Sequence, residues 1–151
     1  MKHAGYNVAS LDITSNTAAA HNVIVSPDFK LKDQVNTLIK QTQDFSYKYD
    51  AIICVAGGFE AGSIKDSDLF DKYERQDRLN FQSALLAAHI ATKSLTPSGL
   101  LMFTGAAAVF EGPVNFAYAY YVAKSATHAL ALQMSERTEI PVTSSVITIL
   151  P

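Results

Sequence analysis

The stretch AYYVAKSATHAL, residues 119–130, sets two tyrosines, Tyr120 and Tyr121, close to a lysine, Lys124, among small residues that suit a helix. A tyrosine hydroxyl is a weak acid with a pKa of about 10. A nearby ammonium stabilises the phenolate, lowers that value and turns the phenol into a proton donor near neutral pH. Spacing decides which tyrosine the lysine serves. Four residues along an α-helix turn about 400° and rise about 6 Å, so positions i and i+4 share a face. Tyr120 and Lys124 therefore stack, and Tyr121 points away by roughly a quarter turn. Taken without its surroundings, the pair reads equally as two ordinary residues on an exposed helix face.

The elements that must position the pair follow from the pattern of apolar residues. YNVASLDI predicts a strand over 7–12, ending at Asp12, and NVIV predicts a second over 22–25, stopped by Ser26-Pro27. Leu31, Val35, Leu38 and Ile39 recur at helical spacing over 30–45, with Asp28 as a cap. DAIICVAGG is a continuous apolar run closed by Gly57 and Gly58, the pattern of a parallel strand covered on both faces. A polar segment over 59–72 precedes a long helical pattern, 73–95, carrying Leu79, Leu85, Leu86 and Ile90 and ended by Pro97-Ser98-Gly99. GLLMFTGA predicts a strand over 99–106. A glycine-punctuated loop, 105–115, leads to the helix of Tyr120 and Lys124, which extends to about Arg137. TSSVITILP closes the series as a strand over 143–151. The order β-β-α-β-α-β-α-β predicts an α/β fold with a parallel sheet and right-handed crossovers.

Composition narrows the class. A chain of 151 residues fits one domain spanning 1–151, and 48% apolar with 17% charged residues suits a soluble α/β protein. A net charge of −2 without a basic cluster argues against nucleic acid as a partner. No apolar run reaches the roughly 20 residues of a membrane span. The single cysteine, Cys54, builds no disulfide framework and reads as a small buried apolar residue; a cytoplasmic location is the expectation. His89 and His128 read as core or interface residues, and the spacing of His, Cys and carboxylates suggests no metal site.

Together, Tyr120-Tyr121-Val122-Ala123-Lys124, Ala56-Gly57 after a strand, Asp12 ending the first strand and Asn80 in the middle helix resemble the short-chain dehydrogenase/reductase family. Within it, VASLDI, DAIICVAGG, HIATKSL, SGLLMFTGAAA and YVAKSATHAL are similar to the dihydropteridine reductase subgroup over nearly the whole chain. The resemblance implies a Rossmann-type doubly wound sheet and NADH-dependent reduction of a quinonoid dihydropteridine to the tetrahydropteridine. It implies Tyr120 as proton donor, and Lys124 as the residue that depresses its pKa and holds the nicotinamide ribose. Ala56, Gly57 and Gly58 would let the cofactor approach the backbone. Asn80 would anchor water and hold its helix near Lys124, or be simply a polar helix residue. Asp12 would accept the adenosine ribose hydroxyls and repel a 2′-phosphate; Thr14, Ser15 and Asn16 supply no cation, so NADH is favoured over NADPH. Asp12 also reads as a plain strand-ending turn. Where the family places a serine, Ala106 stands, which disfavours ordinary alcohol or ketone chemistry and is tolerable for an already activated pterin. A homodimer built from the helices at 73–95 and 117–137 is implied as well.

The glycine-rich dinucleotide fingerprint expected at the first β-α turn is not found, and the family continues beyond Pro151. The chain reads as a fragment or incomplete version of a normal enzyme, truncated at both ends. It reads alternatively as a diverged copy that no longer binds cofactor, or as a closed-up fold with strand 7–12 beside strand 50–55. Rival functions are a generic short-chain carbonyl or imine reductase, and a non-catalytic chain that only dimerises with a full-length relative.

Overall fold

The computed structural model describes residues 5–27, 30–45, 48–112, 115–136, 140–141 and 145–150. The chain divides into two compact units, Met1–Tyr47 and Lys48–Pro151.

In the first unit, β1 (Ala9–Asp12) and β2 (His21–Ile24) pair in parallel, Ala9 opposite His21 and Asp12 opposite Ile24. Parallel neighbours normally need a crossover of a dozen or more residues. Here an irregular loop suffices, closed by asparagines. The Asn16 amide donates to Asn22 Oδ1 at 2.7 Å, Asn22 Nδ2 donates to the Asn16 carbonyl, and Asn16 Oδ1 accepts from Ala18 N–H. The helix α1 (Leu31–Gln43) buries Leu38 and Ile39 of the expected stripe, together with Thr42, and leaves Leu31 and Val35 half-buried. Asp28, the expected cap, lies outside the described residues.

The second unit holds the sheet β3 (Tyr49–Cys54), β4 (Leu95–Thr104) and β5 (Ser145–Ile149), in that order and all parallel. The alternation of strands and helices thus has the parallel α/β character expected. β4 is the central strand. Leu101 and Phe103 project from one face into a core with Ala84, Ala88, Ala91, Ala131, Met134 and Ile140. Helix α3 (Ser83–Ser94) packs on β3 and β4, and α5 (Tyr118–Glu136) on β5. The expected double coverage of the apolar run at 50–58 is not found: no residue of β3 is fully buried. That run is apolar because its partly covered residues, Ile52 and Cys54, still pack against the core. Of the last strand, expected over 143–151, residues 143, 144 and 151 lie outside the described residues, as does Arg137 at the expected end of α5.

Two elements differ from the sequence reading for identifiable reasons. β4 starts at Leu95 rather than 99, and Pro97-Ser98-Gly99 form an interruption inside it, not a loop before it. Proline has no N–H for the ladder, Ser98 takes a left-handed φ of 66°, and the register skips from Tyr49–Leu95 to Ala51–Leu100. The long helix is also not uniform. It begins as α2 (Leu69–Gln76), widens through a π-helical segment (Asp77–Gln82), and resumes as α3. Leu86 and Ile90 are buried as their spacing suggests, but Leu79 and Leu85 are left 43% and 45% exposed. A short helix, α4 (Ala108–Glu111), occupies the loop before α5. Among the described residues, no helix is long and apolar enough to cross a membrane.

Candidate active site

The C-terminal ends of β3 and β4 meet the first turns of α5 and the π segment. Alanines make this approach possible: Ala119 and Ala123 are buried on α5, and Thr127 Oγ1 reaches the Asn80 carbonyl at 3.4 Å. Lys124 is 3% exposed, and its Nζ donates to the Thr104 carbonyl at the end of β4, 2.8 Å away. Burial pushes the ammonium below its ordinary pKa, with the Cys54 thiol acting weakly in the opposite sense. Burial dominates at Cys54 too and pushes that thiol up.

The two tyrosines separate as the helix geometry requires. The Tyr121 hydroxyl donates to the Val109 carbonyl at 3.0 Å and ties α5 to α4. The Tyr120 ring lies with Lys124 Nζ 6.0 Å from its centroid. Its edge meets Phe59 at 5.1 Å and 76°, and its hydroxyl makes no hydrogen bond among the described residues. Its pKa runs against the expectation from helix spacing. Burial pushes the phenol above its ordinary value, with no lowering by Lys124. The ammonium is anchored on the Thr104 carbonyl and lies over the ring, 6.0 Å from its centroid. The phenol therefore keeps its proton at neutral pH and is a weaker acid than the helix spacing suggests.

Ala56 and Gly57 are exposed beyond the end of β3, leaving open backbone there. Gly57 is a packing requirement as well. A Cβ on it would fall 2.8 Å from Asn80 Oδ1 and 3.3 Å from Lys124 Nζ. Asn80, 1% exposed, holds the next glycine from both sides: Oδ1 accepts from Gly58 N–H at 3.2 Å and Nδ2 donates to the Gly58 carbonyl at 2.9 Å. Nδ2 also reaches the carbonyl and Oε1 of Gln76. The side chain is thus committed to protein partners. Single-turn π bulges cluster at functional sites, and this one turns Asn80 toward the β3 loop.

Asp12 belongs to the first unit. It is exposed at the C-terminal end of β1, and its Oδ1 accepts from Ile13 N–H at 2.6 Å and from Thr14 N–H at 3.4 Å. The carboxylate closes a strand-ending turn and still presents Oδ2 to solvent. Among the described residues, no cluster of His, Cys, Asp and Glu is placed to hold a metal ion.

The structure gives Ala106 and His128 a shared contact and adds Phe59 and Gly62, which pattern reasoning passes over. Ala106, where the family places serine, is buried, and its N–H donates to His128 Nε2 at 3.1 Å. His128 follows Lys124 by four residues, so the i+4 rule that pairs Tyr120 with Lys124 extends one turn further. Phe59 directly follows the glycine pair and is 60% exposed beside Tyr120. Gly62 pairs with Ala117 in an isolated parallel bridge, its N–H donating to the Phe116 carbonyl at 2.6 Å, which binds the loop after β3 to the start of α5.

Comparison with known proteins agrees with this architecture. No protein-family model matches the chain. A dihydropteridine reductase from Dictyostelium discoideum is 28% identical over 151 residues, covering 99% of this chain and 64% of that protein. A short-chain dehydrogenase from Salmonella enterica superposes with a TM-score of 0.78 at 15% identity, over 96% of this chain and 65% of its own. FolM alternative dihydrofolate reductase 1 from Brucella canis, solved with NADP, gives 0.68 at 17% identity, over 87% and 51%. The chain therefore spans a little under two thirds of the reductase it matches. It carries part of the short-chain dehydrogenase fold and resembles a dihydropteridine reductase along nearly its whole length.

Proposed function

We propose that this chain is the reductive core of a nicotinamide-dependent reductase acting on quinonoid dihydropteridines. The observation that carries the reading is the Tyr120 hydroxyl: protonated, without a partner among the described residues, one helical turn from a buried lysine and edge-on to an exposed phenylalanine. The open backbone of Ala56 and Gly57 and the clamped Gly58 fit a cofactor that must come close to the main chain. Ala56, Gly57, Gly58 and Lys124 would hold the nicotinamide end, with Asn80 fixing the loop. NADH, when bound, supplies the hydride. Asp12, in its own unit, offers a free carboxylate oxygen to a ribose diol and no cation to a 2′-phosphate, which favours NADH over NADPH.

The balance of the step is simple. With a nicotinamide cofactor bound, its hydride and one proton from the Tyr120 hydroxyl would convert the quinonoid dihydropterin to the tetrahydropterin, and solvent would reprotonate the phenolate. A ketone reductase would need a hydrogen-bond donor on the substrate oxygen, and Ala106 has no side-chain donor to give. A pterin already primed to accept hydride does not need one, and its flat ring suits the aromatic edge formed by Phe59 and Tyr120.

The exposed stripe of Leu85 and His89 on α3, with Val122 and Leu132 on α5, further suggests pairing of two copies through these helices. The test of the function is a substrate panel. Nicotinamide oxidation is followed with a quinonoid dihydropterin, simple ketones and a cyclic imine. Turnover confined to the pterin supports the reading; turnover of ketones points to a generic carbonyl reductase. Absence of NADH binding, with co-purification of an intact relative, points to a non-catalytic partner chain.

A further inference from the structure

Lys124 and His128 lie one turn apart on α5 and grip the same strand end with opposite chemistry. Lys124 Nζ donates to the carbonyl of Thr104, and His128 Nε2 accepts from the N–H of Ala106. Between them, the Gly105 N–H donates to the Ile149 carbonyl of β5 at 2.8 Å. Gly105 has no room for a side chain. A Cβ there would overlap His128 Cε1 and stand 2.6 Å from both His128 Nε2 and Thr148 Cγ2. The imidazole is seated by an edge-on contact with Phe110, 4.8 Å between centroids at 69°. The corner at 104–106 is therefore held by three elements: the carbonyl that anchors the catalytic lysine is separated by one glycine from an amide that only a neutral imidazole can accept.

We propose that His128 is an acid-sensitive positioning residue: its unprotonated Nε2 latches the Gly105-Ala106 corner and thereby fixes the Thr104 carbonyl on which Lys124 is anchored. The role rests on the reductase reading of the site, but the latch itself is a matter of structure. Protonation would put an N–H on Nε2 facing the Ala106 N–H, two donors with no acceptor between them, and the corner would open. Among the described residues, the groups facing the ring are few. On α5 the charged neighbour is Lys124. The end of β4 contributes backbone, β5 contributes Thr148, and α4 contributes the ring of Phe110; none of these three titrates. Burial and the Lys124 ammonium both favour the neutral ring.

The test has one arm that needs no turnover. NMR of the histidine ring nitrogens should show Nε2 unprotonated at neutral pH. Hydrogen exchange at the Ala106 amide should accelerate as pH falls through the ring's titration in the native protein, and not in His128→Gln, whose Oε1 accepts at every pH. The kinetic arm compares kcat against pH. His128→Phe should lower kcat by about tenfold, the worth of one lost hydrogen bond, with the KM for NADH little changed. His128→Gln should restore most of that loss and remove the acid limb. A proton on Nε2 at neutral pH, or Ala106 exchange indifferent to the ring's titration, overturns the latch. Unaltered kcat and pH profile in His128→Phe overturn its effect on Lys124. Should His128→Phe fail to fold, the Gln variant's profile still decides. Absence of pterin turnover in the native protein would defeat the reductase reading alone, leaving the NMR arm to judge His128.

Discussion

Gly57 shows how closely the chemistry of this site is tied to one missing carbon. Its neighbours are the amide of Asn80 and the ammonium of Lys124, at distances that leave no space for a methyl group. Gly57→Ala should therefore displace both, since neither is the loose end of a free side chain: Asn80 is fixed on Gly58 and Gln76, and Lys124 on Thr104. The expected result is a loss of about 1–3 kcal/mol in urea unfolding, as for other overpacked interior sites, together with weakened NADH binding in a fluorescence titration. An alanine variant with native stability and affinity would mean the corner is softer than its contacts indicate. The chemistry at Tyr120 carries its own pH signature. Because burial raises the phenol's pKa, the protonated donor persists through neutral pH. Any alkaline decline in kcat from this group should have its midpoint above the ordinary tyrosine value of about 10, not below it.

Among the elements, the π segment does the positioning. It places Asn80 where one side chain satisfies both the N–H and the C=O of Gly58. Asn80→Ala would leave those groups unpartnered, at a cost of about 2 kcal/mol or more, and should also weaken NADH binding through the loosened Gly57-Gly58 loop. A thermal melt and a cofactor titration measure the two effects separately. The order of strands and helices is legible in the sequence because β-branched runs and 3.6-residue periodicity are local properties. The pairing of Tyr120 with Lys124 is legible for the same reason. The π segment is not: one extra residue in a turn leaves the apolar pattern nearly intact, so DRLNFQ reads as ordinary helix. The early start of β4 is hidden by Pro97-Ser98-Gly99, which reads as a terminator wherever it falls and here interrupts a strand. The upward shift at Tyr120 is hidden because it comes from burial, which tertiary packing sets, and the lysine that spacing pairs with it is held by the Thr104 carbonyl, a backbone group 20 residues away in sequence.

The chain as an assembly invites two further measurements. The exposed Leu85 and Val122 lie on α3 and α5, the helices proposed to pair. Leu85→Glu should shift sedimentation toward the monomer, because burying an unpaired carboxylate opposes association; an unchanged sedimentation coefficient would place any dimer interface elsewhere. Acid stability follows from His128. Its pKa in the fold lies below the ordinary histidine value, so the unfolded chain binds the proton more readily. The contribution is fully present above about pH 6.5 and is lost as pH falls through the lower, folded value. Denaturation midpoints across that range should fall in the native protein and fall less in His128→Gln.

The contrast that bears hardest on the proton-donor role is between the two neighbouring tyrosines. Tyr121 is occupied by the Val109 carbonyl, whereas the Tyr120 hydroxyl is unengaged among the described residues. Initial rates of NADH oxidation with quinonoid dihydropterin should fall about a hundredfold or more in Tyr120→Phe, with NADH affinity retained, and change little in Tyr121→Phe. Equal rates in Tyr120→Phe and the native protein, or a greater loss in Tyr121→Phe, would contradict it.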